Sequence, residues 1–201
     1  MPTILIASTN PGKLREFQEI LAGEDFNLVL PTTLGIQLQV VEDGSTYAEN
    51  AAKKALAYQR ASGLVTLADD SGLEVDALGG APGLYSARYS PLPGATDADR
   101  RAHLLDNLRR LPRPWPARFH CTVAVAAPGG VLELTEGKCP GEIIPEERGS
   151  NGFGYDPIFL LAERGLTMAE LDSEDKNRIS HRALAVLAAL PILYRLPGRS
   201  G

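Results

Sequence analysis

Cysteine and histidine are scarce in this chain, which limits the kinds of site it can hold. The two cysteines, Cys121 and Cys139, form no CxxC pair, and only three histidines accompany them. A zinc site or a disulfide framework needs several such residues at short spacings, so neither is expected. Isolated cysteines of this kind favour the cytoplasm as the compartment.

Long apolar runs and an excess of positive charge are also missing. No segment offers the roughly 20 predominantly apolar residues that a membrane-spanning helix requires. The first residues, Met1–Ala7, lack the basic region and the cleavage site of a secretory signal. The net charge of −5 opposes a general affinity for nucleic acid or for an anionic membrane. We therefore expect neither a nucleic-acid partner nor a membrane partner.

The bulk composition is that of a globular protein. Of the 201 residues, 44% are hydrophobic and 22% are charged, which suits one domain over residues 1–201 with a substantial core. The last five residues, 197–201, contain only Pro, Gly, Arg and Ser and are expected to fray.

Apolar spacing predicts the order of the helices and strands. Strands and helices alternate in the first half and strands cluster in the second, which indicates a mixed α/β sheet with helices on its faces. The predicted helices cover 12–22, 46–61, 96–110 and 178–189. The predicted strands cover 3–7, 27–30, 36–41, 65–69, 73–76, 117–126, 131–138, 141–145 and 157–161.

The segment Asp69-Asp70-Ser71-Gly72 is the most informative one. It follows the alternation Val65-x-Leu67 and precedes a glycine turn, so the acids are expected at the carboxyl end of a strand, where α/β sheets bind ligands. Adjacent carboxylates repel each other, and a hard cation such as Mg²⁺ would relieve that repulsion. The alternative is an exposed acidic turn without a ligand.

A second segment, Ser8-Thr9-Asn10-Pro11-Gly12-Lys13, lies between the first strand and the first helix. Backbone N–H groups at a helix start and a lysine together suit a phosphate. The segment departs from the P-loop pattern, because Ala7 replaces its first glycine and Leu14 replaces its metal-binding Ser or Thr. The alternative is that Asn10 simply caps the helix.

Charged residues also surround the start of the Ala-rich helix. Glu42 is predicted to end a strand and could face the same crevice as Asp70. Lys53 follows Glu49 by four residues and is expected to pair with it on the helix surface. Lys54 has no acid at that spacing, which leaves it available for a ligand. The alternative is an ordinary solvated helix terminus.

Two later segments could bind a nucleobase. In Gly152-Phe153-Gly154-Tyr155-Asp156 the alternating glycines would expose two aromatic rings for stacking, unless the turn packs on the core instead. Lys176 and Ser180-His181-Arg182, at a predicted helix start, could donate hydrogen bonds to base carbonyls or to phosphate. Taken singly, each of these donors would be an ordinary surface charge.

Together these segments resemble the inosine triphosphate pyrophosphatase family, enzymes that hydrolyse noncanonical purine nucleoside triphosphates. The resemblance runs almost from end to end and rests on five motifs in order: Ser8–Lys13, Ala68–Leu73, Gly79–Tyr89, Gly152–Pro157 and Ser180–Arg182. It implies an elongated mixed β-sheet flanked by helices, two lobes around a central cleft, and a homodimer.

The resemblance also implies roles for individual residues. Asp70 would accept a proton and bind Mg²⁺, with Glu42 and Asp69 as further carboxylates beside the metal. The residues that would hold the triphosphate are Ser8, Thr9, Asn10, Pro11, Gly12, Lys13, Lys54, Ser71 and Arg88. Those that would bind the base are Phe153, Gly154, Tyr155, Asp156, Lys176, His181 and Arg182.

Two other functions remain open at this point. A related Maf-like pyrophosphatase would act on modified pyrimidine or methylated nucleotides, although the aromatic turn at Phe153 and the pair His181-Arg182 oppose it. A nucleotide-sensing module would bind without hydrolysis, although the acids Glu42, Asp69 and Asp70 oppose that role. Hydrolysis assays with a nucleotide panel separate the three.

Overall fold

A computed structural model describes residues 1–196; the tail at 197–201, expected to fray, lies outside the described residues. Within 1–196 a single mixed sheet holds seven strands in the order β2-β1-β3-β4-β5-β6-β7. The strands are β1 Thr3–Ile6, β2 Asn27–Val29, β3 Val65–Val75, β4 Trp115–Ala127, β5 Val131–Ile143, β6 Phe159–Leu161 and β7 Leu166–Thr167. The helices are α1 Pro11–Ile20, α2 Tyr47–Ser62, α3 Asp97–Leu108, α4 Ser173–Ile179 and α5 His181–Arg195.

The sheet is mixed because its two ends pair differently. Strand β1 pairs in parallel with both β2 and β3, whereas β6 pairs antiparallel with β5 and with β7. Strands β4 and β5 are joined through Gly129 and Gly130, whose positive φ values of 85° and 86° fit the predicted hairpin turn. The predicted α/β class, a mixed sheet flanked by helices, is confirmed.

The chain forms two compact units, each built from separated segments. The first contains residues 1–70, 121–137 and 182–196 of the described chain. In its core, Phe17 of α1 and Val186 of α5 pack with strand residues such as Ile6 and Val123. A second cluster is rich in alanine, which lets α2 approach the sheet closely.

The second unit contains residues 71–120 and 138–181. Its core is more aromatic: Trp115 and Phe119 of β4 and Phe159 of β6 pack with Leu104 and Leu108 of α3. Helix α3 begins after Thr96, whose hydroxyl accepts the N–H of Asp99 in a capping box.

Several predicted elements differ from the structure. The strands predicted at 131–138 and 141–145 form one continuous strand, β5. The predicted strand at 36–41 is wrong: residues 36–46 have no regular secondary structure, and the carbonyl of Leu38 accepts a hydrogen bond from Tyr58 Oη instead of a neighbouring strand. Glu42 therefore does not end a strand. The predicted break at 69–72 is also wrong, because β3 runs unbroken through both aspartates. Helix α4, which carries Lys176, was not predicted as a separate element.

None of the helices within residues 1–196 combines the length and the apolar character that crossing a bilayer requires.

Candidate functional site

The acids of β3 lie just beyond the carboxyl end of β1. The register pairs Ile6 of β1 with Leu67 of β3, and Ala7 N–H donates to the Leu67 carbonyl at 2.8 Å. Since β1 ends there and β3 continues, Asp69 and Asp70 extend past the end of their parallel neighbour. The expected position at a strand end thus applies to β1 and not to β3 itself.

Asp69 lies in a buried cluster of opposite charges. Its Oδ2 accepts from Lys13 Nζ at 2.9 Å and from Arg182 Nε at 3.1 Å, and its side chain is 1% exposed. Arg182 also pairs with Glu16. Burial alone would raise the pKa of Asp69. The charges of Lys13, Arg182 and Lys54 outweigh burial and hold that pKa well below its usual range. Asp69 is therefore an ionised counter-ion at neutral pH.

Asp70, the next residue, has a different environment. Its Oδ2 accepts a hydrogen bond from Asn50 Nδ2 of α2 at 2.9 Å. Burial raises the pKa of Asp70 above its usual value. The hydrogen bond from Asn50 and the charges of Lys13 and Lys54 oppose that rise only in part. A carboxylate with a raised pKa is a stronger proton acceptor, so Asp70 is the better candidate for a general base.

Lys54 of α2 connects the acid pair to Glu42. Its Nζ lies 2.8 Å from Glu42 Oε1 and donates to the backbone carbonyl of Asp69 at 3.0 Å. Burial would lower the pKa of Lys54, but the charges of Asp69, Glu42 and Asp70 more than offset it and raise that pKa. Lys54 therefore stays protonated and supplies a fixed, largely buried positive charge.

The neighbouring Lys53 behaves as a surface residue, although not as predicted. The expected Glu49–Lys53 pair is wrong, because Lys53 Nζ pairs with Asp43 at 2.6 Å. Glu49 instead accepts from the backbone N–H and the hydroxyl of Ser45, ahead of the helix. Both partners of the Lys53–Asp43 pair are well exposed, so the pair serves as a reference for surface charge in this region.

Carboxylate oxygens suited to a divalent cation meet beside Asp70. After burial, the negative charge of Glu42 is a further cause that raises the pKa of Asp70, so the two carboxylates lie close enough to repel. A divalent cation would relieve both effects, and hard oxygen donors are the ligands it prefers. Across residues 1–196, no group of three or more His, Cys, Asp or Glu side chains is arranged around a common metal position. Asp70 and Glu42 therefore fit as two protein ligands of an ion that keeps several waters.

The loop before α1 is closed by its own asparagine. Asn10 Oδ1 accepts the N–H groups of Gly12 at 2.9 Å and Lys13 at 3.1 Å, and Ser8 Oγ accepts the N–H of Asn10. Two of the amide donors that an anion could use are thus occupied by the cap. Thr9 and Pro11 are exposed beside them.

A cavity of about 440 Å³ opens next to this loop. Ser8 and Thr9 line it together with Leu14, Tyr58 and the segments 30–32 and 36–39. No lining residue carries a charge at neutral pH, so the cavity itself offers no counter-ion for a phosphate.

The aromatic turn belongs to the second unit and is held by a buried ion pair. Asp156 Oδ2 accepts the N–H of Phe153 at 2.9 Å and lies 2.7 Å from Lys176 Nζ. The ammonium of Lys176 also stands 5.2 Å from the centre of the Phe153 ring. A Cβ on Gly152 would lie 2.0 Å from Asp156 Oδ2, so the turn requires glycine there.

The two aromatic residues of this turn differ in exposure. Phe153 is half-buried, whereas Tyr155 is buried and its hydroxyl donates to the carbonyl of Ser86 at 2.8 Å. The expectation that both rings are exposed for stacking is therefore wrong for Tyr155. Phe153 is the ring that a ligand can reach.

The remaining predicted residues lie in varied surroundings. His181 begins α5 and stacks on Phe119 at 4.8 Å between ring centres. Arg88 is exposed above the ring of Tyr85, and Ser71 is half-buried in β3. Arg182 is fully buried in the cluster around Asp69, a position that favours supporting that carboxylate over direct contact with a base.

Comparison with known proteins identifies the family of this chain. The sequence profile of the Ham1 family matches residues 4–192. The chain belongs to the Ham1 family. This confirms the family resemblance inferred from the motifs.

Curated Ham1-family relatives cover nearly the whole chain. The dITP/XTP pyrophosphatase of Desulforamulus reducens is 46% identical over 194 residues, which is 96% of each chain. That of Desulfotalea psychrophila is 47% identical over 186 residues, covering 92% of this chain and 82% of its own.

Solved Ham1 structures share the fold. The Coxiella burnetii HAM1 protein has a TM-score of 0.86 and 40% identity, with 98% of this chain and 100% of its own covered. The Staphylococcus aureus Ham1 protein has a TM-score of 0.84 and 38% identity, with 96% and 98% covered.

Sequence reasoning missed two polar residues of this Ham1-family chain. Asn50 binds Asp70, and Glu16 is the second partner of Arg182. Both lie on helix faces where a polar residue usually faces solvent. Their burial, to 2% and 6% exposed, is the signal that marks them, and it is not visible in the sequence.

Proposed function

We propose that this chain hydrolyses noncanonical purine nucleoside triphosphates, ITP, dITP and XTP, to the nucleoside monophosphate and pyrophosphate. The observation that carries the proposal is the pair of adjacent acids in β3, one held ionised by Lys13 and Arg182 and the other made more basic by burial. Membership of the Ham1 family and relatives named dITP/XTP pyrophosphatase support it.

The reaction transfers the α-phosphoryl group to water. The water oxygen forms a bond to the α-phosphorus while the bond from that phosphorus to the bridging oxygen breaks, and pyrophosphate leaves with the bridging oxygen. Asp70 accepts the proton that the water loses. The raised pKa of Asp70 strengthens it as a base, and Asn50 orients its carboxylate.

A divalent cation, which we take to be Mg²⁺, would be bound by Asp70 and Glu42. When bound, such an ion would neutralise phosphate charge and lower the pKa of a water molecule bound to it. Asp69 Oδ2 is occupied by Lys13 and Arg182, so this residue is assigned mainly to holding those cations. Its Oδ1 is buried without a hydrogen-bond partner and is the one oxygen of Asp69 that could reach toward the ion.

The cationic side chains of the first unit would bind the triphosphate. Lys13 and Lys54 carry positive charge beside Asp69 and Asp70, and such charge stabilises the departing pyrophosphate. The loop Ser8–Lys13, with Ser71 and Arg88, completes the proposed phosphate contacts. The amide donors of Gly12 and Lys13 become available only if a phosphate displaces the Asn10 cap.

Residues of the second unit would bind the base. Phe153 offers a ring for stacking, and Lys176 is an ammonium donor beside it, held by Asp156. Hypoxanthine and xanthine present a carbonyl at C6, which accepts from such donors, whereas adenine presents an amino group there. A buried donor left without an acceptor costs about 1–3 kcal/mol, so ATP is expected to be the poorest substrate. Guanine shares the C6 carbonyl, so the expected preference for ITP and XTP over GTP requires a second discrimination, at the 2-amino group of guanine.

Two further proposals concern assembly and compartment. We propose a homodimer, because Tyr85, 61% exposed in the segment 83–88, offers an apolar ring for a self-complementary contact. We propose the cytoplasm as the compartment, since Cys121 and Cys139 are both buried free thiols.

The decisive experiment is a panel of ITP, XTP, GTP, ATP and modified pyrimidine triphosphates with the products identified by anion-exchange chromatography. We expect inosine monophosphate and pyrophosphate from ITP. Release of the diphosphate and orthophosphate would contradict the proposed bond cleavage. Preference for modified pyrimidines would favour the Maf-like alternative, and tight binding of ITP without turnover would favour a sensing module.

A further inference from the structure

Two side chains of helix α3 hold the peptide groups on both sides of Gly154. Asp97 Oδ2 accepts the Gly154 N–H at 2.7 Å, and Arg101 Nη1 donates to the Gly154 carbonyl at 2.8 Å. Asp97 and Arg101 are four residues apart, so they project from the same face of α3. Neither residue belongs to the motifs that identify the family resemblance.

Arg101 is itself fixed by a second contact. Its Nε and Nη2 donate to the two carboxylate oxygens of Glu147 at 2.8 and 2.9 Å. Such a two-bond pair restricts both the position and the plane of the guanidinium. Asp97 in turn accepts from Arg100 Nη2 at 2.7 Å. The two side chains that hold Gly154 are therefore immobilised before any ligand arrives.

These bonds fix successive peptide planes of the aromatic turn. The Gly154 N–H belongs to the plane shared with Phe153, and the Gly154 carbonyl belongs to the plane shared with Tyr155. The preceding plane is held by the Phe153 N–H, which donates to Asp156 Oδ2. Because the planes on both sides of the Phe153 α-carbon are held, the direction in which its side chain leaves the backbone is fixed.

We propose that Asp97 and Arg101 are positioning residues that hold Phe153, and with it the Asp156–Lys176 pair, in the geometry that discriminates between purine bases. This inference rests on the proposed function, because it assigns the base contact to Phe153 and Lys176. The described contacts of Asp97 and Arg101 lie within the second unit, whereas Asp69 and Asp70 belong to the first. Loss of either one should therefore weaken base recognition while leaving the chemical step intact.

The first test measures the turn without any substrate. Arg101→Met removes the donor to Gly154 and keeps the length of the side chain. Hydrogen–deuterium exchange in a peptide covering residues 152–158 should be faster in this variant than in the wild-type protein. Arg109→Met, at the end of the same helix, removes an equal charge from an exposed residue that pairs only with Asp106 among the described contacts and should leave that exchange unchanged.

The second test measures steady-state kinetics with ITP and ATP. Arg101→Met should raise the KM for ITP by about tenfold, the effect of one lost buried hydrogen bond, with kcat within about twofold of wild type. The ratio of kcat/KM for ITP to that for ATP should fall by a similar factor. Arg101→Lys keeps one donor and should restore much of the ITP-to-ATP ratio. A loss of general stability would instead lower kcat/KM for both substrates equally.

The outcomes separate this inference from the proposed function. Unchanged exchange in Arg101→Met overturns the positioning role whatever the activity. Faster exchange with an unchanged ITP-to-ATP ratio shows that the turn does not set selectivity, and also overturns it. A wild-type protein that does not hydrolyse ITP contradicts the proposed function. The exchange measurement still tests whether Arg101 holds the Gly154 peptide group. If Arg101→Met does not fold, Glu147→Gln releases Arg101 without touching the turn and should show the same changes at smaller size.

Discussion

The ammonium of Lys13 lies 2.9 Å from Asp69 Oδ2, which is also bonded to Arg182 Nε. A carboxylate that is 1% exposed is stable as an anion only because these cations surround it. The contact joins the first turn of α1 to β3, so the charge that would attract phosphate is placed by the same interaction that stabilises the fold.

Replacing Asp69 should therefore destabilise the protein more than it changes the chemistry. Asp69→Asn removes one anionic partner of the buried guanidinium of Arg182, which also pairs with Glu16. Breaking such a buried pair costs about 3–5 kcal/mol. Urea denaturation at pH 7 measures the loss. Asp43→Asn, which removes an exposed ion pair with Lys53, should change the unfolding free energy far less, because solvent screens that pair. Equal losses in the two variants would show that Asp69 is not a structural counter-ion.

The same carboxylate should contribute to acid sensitivity. Burial raises the pKa of Asp69, but the charges of Lys13, Arg182 and Lys54 lower it by a larger amount. The pKa of Asp69 in the folded protein therefore lies below its value in the unfolded chain. Its stabilising effect is complete well above the unfolded value of about 3.9 and is lost as the pH falls through the folded pKa. Unfolding free energies of the wild type and Asp69→Asn, measured from pH 6 to pH 3, should converge as the pH falls. A gap that widens in acid would contradict the sign of this shift.

Asp70 should matter for turnover. Asp70→Asn keeps the size of the side chain but removes its charge and its basicity. We expect kcat for ITP to fall by roughly two orders of magnitude or more, the usual contribution of a general base. Asp43→Asn is the matched control and should keep kcat. Near wild-type turnover of Asp70→Asn at saturating Mg²⁺ would remove the role assigned to this residue.

Lys176 should govern base selectivity. Lys176→Met removes the ammonium that stands between Asp156 and the Phe153 ring, so ITP should lose affinity while ATP loses little. We expect the ratio of kcat/KM for ITP to that for ATP to fall by about tenfold, as for one lost charged hydrogen bond. Lys138→Met removes an exposed lysine and should leave the ratio unchanged. A wild-type protein that hydrolyses ATP as efficiently as ITP would contradict the base assignment itself.

Assembly gives the last prediction. Light scattering at micromolar concentration should yield twice the 21.5 kDa mass of the chain. Tyr85→Ser, which removes an exposed ring from the segment 83–88, should shift the mass toward the monomer. Leu166→Ser, another exposed apolar residue, is the control. A monomeric wild-type protein would contradict the proposed homodimer.

Much of the fold follows from local patterns. The helix at Pro11–Ile20 begins with an Asn cap and a proline, and these two signals depend only on neighbouring residues. The full length of the strand at 65–75 was harder to predict from the sequence, because Asp69-Asp70-Ser71-Gly72 has the composition of a turn. Neighbouring strands on both sides complete the pairing of β3 and override that local preference.

The sequence indicated which residues form the candidate site but not which of them contact each other. Lys13, Asp69 and Arg182 were all candidates, yet their mutual contacts join residues far apart in the sequence. The sequence also provided no sign that Tyr155 is buried against the Ser86 carbonyl while Phe153 stays accessible. A glycine precedes each of the two aromatic residues, and only the packing of the surrounding unit distinguishes their exposure.

The division of the first unit into three chain segments determines when that unit can form during protein synthesis. Residues 1–70 carry Lys13, Asp69 and Asp70, but Arg182 and the apolar face of α5 follow the whole second unit in the sequence. A nascent chain that stops before α5 lacks the Arg182 counter-ion of Asp69 and the side of the core that α5 supplies. The ribosome must therefore translate the second unit and reach α5 before the ion pairs around Asp69 are complete, although those pairs belong to the first unit.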